Sequence, residues 1–102
     1  AGFNLHLGST GCPGDNVEQP PTGPCVNPNV VSVELAFDPA FDVIVADVGR
    51  VLRDVDVGVN TPDTAPGCMS FPGDPECNTV FPKLGLPFDE IAAGAQEFFS
   101  VE

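Results

Sequence analysis

Val30-Val31-Ser32-Val33-Glu34-Leu35-Ala36-Phe37 is the stretch on which the fold turns. Val31, Val33, Leu35 and Phe37 fall on one face of a period-two pattern, which is the signature of a strand with one side packed. Asp38-Pro39 ends the run, because proline cannot donate to a ladder. Upstream, Phe3, Leu5 and Leu7 alternate with Asn4, His6 and Gly8, a second strand pattern, and residues 8–29 read as loop. Downstream, Val43-Ile44-Val45-Ala46 reads as a short buried strand. Asp47 then has the character of an N-cap for a short helix over DVGRVLRDV. In that helix Val48, Val51, Leu52 and Val55 share a face and Arg50 and Arg53 point outward, with Gly49 and the β-branched valines working against it. Residues 56–87 read mostly as loop. The tail from Phe88 to Phe99 is expected to form a helical turn or two ending in an apolar latch. The fold expected from these patterns is mostly β, with long disulfide-stapled loops and one or two short helices. Two or three strands cannot close a sandwich, and an isolated small sheet needs further strands or a helix to cover its face. Residues 1–102 are therefore expected to be one unit that is part of something larger or is tightly bound to a partner.

Composition agrees with shaped loops between strands. The chain has 102 residues, 42% of them hydrophobic, with 11 Gly and 12 Pro. That length supports one domain at most and often needs covalent help. The net charge of -12, with only Arg50, Arg53 and Lys83 basic, leaves little to neutralise phosphates and argues against nucleic-acid binding. An anionic membrane surface is disfavoured for the same reason. No apolar run approaches the ~20 residues that span a bilayer. The acidity fits solubility, a cationic partner or a saline habitat. The chain opens at Ala1 straight into strand-like alternation, without an initiator Met or a leader, as expected of a processed exported chain or of part of a longer one.

Cys12 and Cys25 flank a Pro/Gly/Asp-rich segment, and so do Cys68 and Cys77. Three connectivities are possible. Cys12–Cys25 and Cys68–Cys77 are favoured because each closes a stiffened loop, contributing about 3 kcal/mol in the chain-entropy model. A four-cysteine zinc site would want paired cysteines two to four residues apart, and a dithiol redox site would want Cys-x-x-Cys; neither spacing occurs. Disulfides place the protein in the periplasm, at the cell surface or outside the cell.

His6 is the only histidine. On the polar side of the first strand pattern it is either a surface residue or a metal ligand. One His cannot hold copper or zinc alone, and no Ser/His/Asp triad can be built on Ser9 and His6 by spacing. Met69 offers a thioether suited to Cu(I) or, more ordinarily, a gap-filler in a core. Asp38, Asp42 and Asp47 cluster in sequence, as do Asp74 and Glu76, and oxygen-rich loops of this kind can take calcium, although Asp commonly serves turns and caps.

Taken in order, HLGSTGC (6–12), CVNPN (25–29), FDP (37–39), PGCMS (66–70), DPEC (74–77), VFPKLGL (80–86) and QEFF (96–99) resemble the C-terminal part of the four-Cys periplasmic copper proteins of the MbnP type. These are encoded beside di-haem, peroxidase-like enzymes of the MbnH type, and the copper proteins MopE and CorA are akin to them in function. The resemblance spans almost the whole chain. It implies that residues 1–102 are the C-terminal portion of a larger, secreted antiparallel β-sandwich domain that holds copper with histidines and a tryptophan oxidised to kynurenine by the di-haem partner. His6 matches the His of the HLGSTGC motif and so becomes the candidate copper ligand, and the family's disulfides match the local pairing. The chain departs from the family in having no Trp and no second His. Both lie upstream of this motif in the family, so they are expected from a missing N-terminal part or a companion chain, unless the chain is a shortened relative that has lost the site.

The sequence thus supports a non-enzymatic copper-binding protein in copper acquisition or handling, with His6 as its one local ligand. The alternative is a structural or assembly module, a surface or filament component without a metal. A calcium-stabilised module, with Asp38 and Asp42 among the donors, comes third.

Overall fold

The structure is a computed structural model, and it describes residues 2–14 and 18–102. Regular structure is sparse. Strand β1 (Ile44–Ala46), helix α1 (Val48–Leu52) and strand β2 (Phe99–Val101) are joined by long segments that include 3₁₀ turns at Pro75–Cys77 and Pro82–Leu84. β1 and β2 pair antiparallel, Ile44 with Val101 and Ala46 with Phe99. Val43 and Glu102 extend the ladder by exchanging N–H···O bonds of 2.6 and 2.8 Å. Among the described residues this is the only sheet, so the non-helical character holds while the second layer of a sandwich is not present.

Asp47 does cap the helix. Its Oδ1 accepts the Arg50 N–H at 3.1 Å, satisfying one of the donors left open at a helix start. The helix stops at Leu52, shorter than expected, and of the apolar face only Val51 is fully buried. Ile44 is 44% exposed rather than buried, because β1 has one neighbour and no covering layer.

The core lies elsewhere, in the segment that sequence reads as loop. Cys68, Cys77, Val80, Phe81, Leu84, Leu86 and Phe88 are buried together with Val51. The local sequence explains how a loop forms a core. After Pro82 starts a 3₁₀ turn, Gly85 takes φ 77°, where a side chain would be strained. Leu86 N–H then bonds Phe81 C=O at 3.0 Å and Gly85 N–H bonds Pro82 C=O at 3.1 Å, the paired bonds of a Schellman ending. Its hydrophobic partners Phe81 and Leu86 are both buried, and Phe88 meets Phe81 edge to face at 4.8 Å.

The structure joins Cys12 to Cys25 and Cys68 to Cys77. The first bridge staples a hairpin-like loop in which Thr10 and Asn27 exchange backbone bonds. The second lies at 0% exposure in the core. Two disulfides fit an oxidising, extracytoplasmic environment. No helix among the described residues is long and apolar enough to cross a membrane.

Three sequence expectations change. Residues 3–7 do not form a strand but make one parallel bridge, Leu5 with Cys68, fixed by Cys68 N–H to Asn4 C=O and His6 N–H to Cys68 C=O at 2.8 Å each. Residues 30–36 keep their alternation, with Val31, Val33 and Leu35 half-buried between exposed neighbours, but Phe37, expected on the same face, is 44% exposed, and no backbone hydrogen bond ties residues 30–37 to any described residue. The tail is not helical. Phe88 and Ile91 close a tight turn, Glu97 N–H bonds Lys83 C=O at 2.7 Å, and Phe99–Val101 becomes β2. Pairing with β1 overrides the weak helical pattern. Gln96 assists by bonding both the N–H and C=O of Phe99 with its side-chain amide at 2.9 Å.

The shape is open. The Cα radius of gyration is 15.5 Å, against about 13 Å for a compact domain of this length. The accessible surface is 6863 Å², against about 5,500 Å² for a compact monomer of 10.6 kDa.

Candidate functional site

His6 reaches the surface because its backbone is held from both sides. Its N–H bonds Cys68 C=O, and its own C=O accepts the hydroxyl of buried Ser70. The same Ser70 Oγ accepts Gly8 N–H at 3.1 Å, while Asn29 Nδ2 donates to Gly8 C=O at 2.8 Å. Gly67 makes this docking possible. Its φ is 82°, and a Cβ there would lie 2.0 Å from the Asn4 carbonyl oxygen. The HLGSTGC stretch is thereby fixed against the PGCMS stretch, with the imidazole exposed and making no hydrogen bond to any described residue. It borders a wide groove of about 960 Å³ that runs along the Cys12–Cys25 loop past Thr10, Val26 and Phe71.

The other metal candidates are engaged locally, and Met69 lies between Cys68 and Ser70, the two residues that bond the His6 backbone. Asp42 Oδ2 accepts Asp38 N–H at 2.7 Å, and Asp38 Oδ1 accepts Ala40 N–H at 2.9 Å, so both carboxylates close the turn after the 30–37 segment. Asp47 is spent on the helix cap. Met69 is half-buried, and its N–H bonds Asp74 Oδ2 at 2.8 Å. Among the described residues no three His, Cys, Asp or Glu side chains converge where a metal ion could be held. His6 can supply one imidazole donor to a metal.

Asp74 and Glu76 form the most unusual polar cluster, and Thr61 is the member that sequence reading missed. Glu76 Oε1 accepts both the N–H and the hydroxyl of Thr61 at 2.6 Å. Those two bonds, with a smaller contribution from the Asp74 side chain, hold the Glu76 carboxyl below its ordinary range. Asp74 Oδ1 and Glu76 Oε2 are buried without a hydrogen-bond partner among the described residues. No sequence spacing marks Thr61, since it lies 15 positions away.

A second groove, of about 580 Å³, is almost wholly apolar. Its floor is Val51, Leu52 and Leu84, and its rim includes Leu5, Leu7, Val30, Val31, Phe98 and Phe99. Lys83 Nζ pairs with Asp54 at 2.8 Å, which lowers the Asp54 carboxyl, and Arg53 pairs with Glu97 at 3.2 Å. The first pair ties the residue after the α1 C-cap to the Pro82–Leu84 turn and the second ties the C-cap to the tail, and no charged side chain lines the groove. Such a concavity has the character of a site for apolar side chains. The His6 groove is mixed: Pro13, Pro21, Val26, Phe71 and Pro72 line it beside His6, Ser9, Thr10 and Asn27. Neither a family model nor a curated protein nor a solved structure matches the chain, so its function is read from this geometry and from the sequence.

Proposed function

We propose that the chain is a non-enzymatic, extracytoplasmic assembly module that completes its core with another polypeptide. The observation that carries this is the open apolar groove on a chain exposing roughly 1,400 Å² more than a compact monomer of its mass. That excess is of the size one partner loses in a stable interface, about 800 Å² in the standard case and more in obligate ones. The test is the isolated, oxidised chain in solution. It should take up an apolar dye, and Leu7→Ser together with Val48→Ser should cut that uptake while both disulfides remain. A dye-silent protein that unfolds in one sharp transition would sink the reading.

Copper acquisition or handling is the second reading, and the exposed, unengaged imidazole of His6 favours it. Neutral imidazole is a good copper donor. In this reading the completing polypeptide brings a second His and an oxidised Trp to His6, as the resemblance to MbnP-type proteins implies, with an MbnH-type di-haem cytochrome as the modifying partner. Copper titration of the chain should show weak uptake that His6→Ala abolishes. Uptake unchanged by His6→Ala would remove His6 from any site.

A further inference from the structure

We propose that the apolar groove is closed by strand addition: an extended segment of another polypeptide, apolar at alternate positions and basic at the others, pairs along residues 30–37. This rests on the assembly reading and names its mode and the partner's chemistry.

The backbone of residues 30–37 carries the first argument. Its N–H and C=O groups make no hydrogen bond to any described residue, although the sequence is the strongest strand former in the chain. A strand with unpaired ladder groups is a template for another strand. The segment also has sheet-like alternation already, with Val31, Val33 and Leu35 half-buried and Ser32, Glu34 and Ala36 exposed. Val30 and Val31 line the groove together with Phe98 and Phe99. A strand paired beside the segment would bring apolar side chains to the groove at its Val30–Val31 end, so that main-chain bonds give affinity and the groove gives specificity.

Charge selects the occupant. A second copy would bring another net charge of -12 to an interface already centred on exposed Glu34. Like charges across paired strands destabilise, and opposite charges contribute roughly 0.2–1 kcal/mol per pair. A strand with Lys or Arg on its outer face meets Glu34 favourably and still offers apolar residues to the groove.

The experiment uses the intact oxidised chain and three labelled peptides of about ten residues, a usual strand length. One alternates valine and lysine. The second alternates valine and glutamate. The third has the valines and lysines of the first in two blocks, so its charge is identical but its alternation is lost. The alternating valine–lysine peptide should bind about tenfold or more tighter than either control, and it should slow amide exchange at residues 30–37 by at least about tenfold. Glu34→Pro removes one ladder donor at an exposed position with no native bond, and should weaken that peptide about tenfold with the fold intact. Equal binding of the blocked peptide, without slowed exchange and without an effect of Glu34→Pro, overturns strand addition; dye uptake at the groove would then leave the assembly reading standing. No peptide binding and no dye uptake would end both. A dimer by sedimentation, with residues 30–37 protected in the absence of peptide, overturns the proposed partner in favour of a second copy.

Discussion

Gly67 is what lets the first segment lie against the core. Its φ of 82° and the 2.0 Å approach of Asn4 to the Cβ position leave no room for alanine. Gly67→Ala is expected to cost about 1–3 kcal/mol from backbone strain alone, and more if residues 4–6 lift from Cys68. Thermal unfolding checks the loss, and faster exchange of the His6 and Cys68 amides locates it. Glu76 carries a pH dependence. Its carboxyl titrates below its ordinary value of 4.5 because Thr61 donates two bonds to the charged form. Its contribution to stability is therefore fully present above pH 4.5 and is lost as pH falls through the lower folded value. Melting temperature of the native chain should drop on acidification below that point, and Glu76→Gln should flatten this part of the profile while lowering stability at neutral pH. A Glu76→Gln profile with the native slope would remove Glu76 as the cause.

At the level of elements, the two staples close loops of similar size, with sequence separations of 13 and 9. Loop entropy therefore gives each about 3 kcal/mol. Packing separates them. Cys68 and Cys77 are fully buried in the cluster with Phe81 and Val80, whereas Cys12 and Cys25 are half-buried in a loop outside it. Replacing Cys68 and Cys77 by Ala should unfold the whole chain at much lower denaturant. Replacing Cys12 and Cys25 should mainly free residues 10–27, with a smaller fall in midpoint. Denaturation of the two double variants, followed by exchange mapping, distinguishes a global loss from a local one. Equal midpoints would mean that the buried bridge adds nothing beyond loop closure. The elements most legible in sequence were the local ones: the Asp47 cap, the turn after Phe37 and the two short-range cysteine pairs, each set by neighbours along the chain. The tail misled, because whether residues 96–101 coil or extend depends on β1, fifty-odd positions away, and on the Gln96 amide that imitates a neighbouring strand.

At the scale of the whole molecule, scattering from the isolated chain should give a radius near 15.5 Å rather than about 13 Å, and it should fall relative to mass when the groove is filled. A compact isolated chain would contradict the open groove. The same openness explains why residues 30–37 carry a strand's alternation without a ladder. Apolar patterning follows from what a segment must bury, and a ladder needs a neighbour at the right distance. His6 was legible as a lone histidine, and among the described residues no three His, Cys, Asp or Glu side chains converge.

The loop-rich, non-helical character, the covalent staples, the acidic surface and the single imidazole follow from composition or from residues close in the chain. Contacts between distant segments build the core from residues 68–88 with Val51 rather than from strand faces, bring Thr61 to Glu76, and set Leu5, Val31 and Phe99 around one open groove. Those relations join segments distant in sequence. Their free energy comes from surface shared between segments, which no local pattern records.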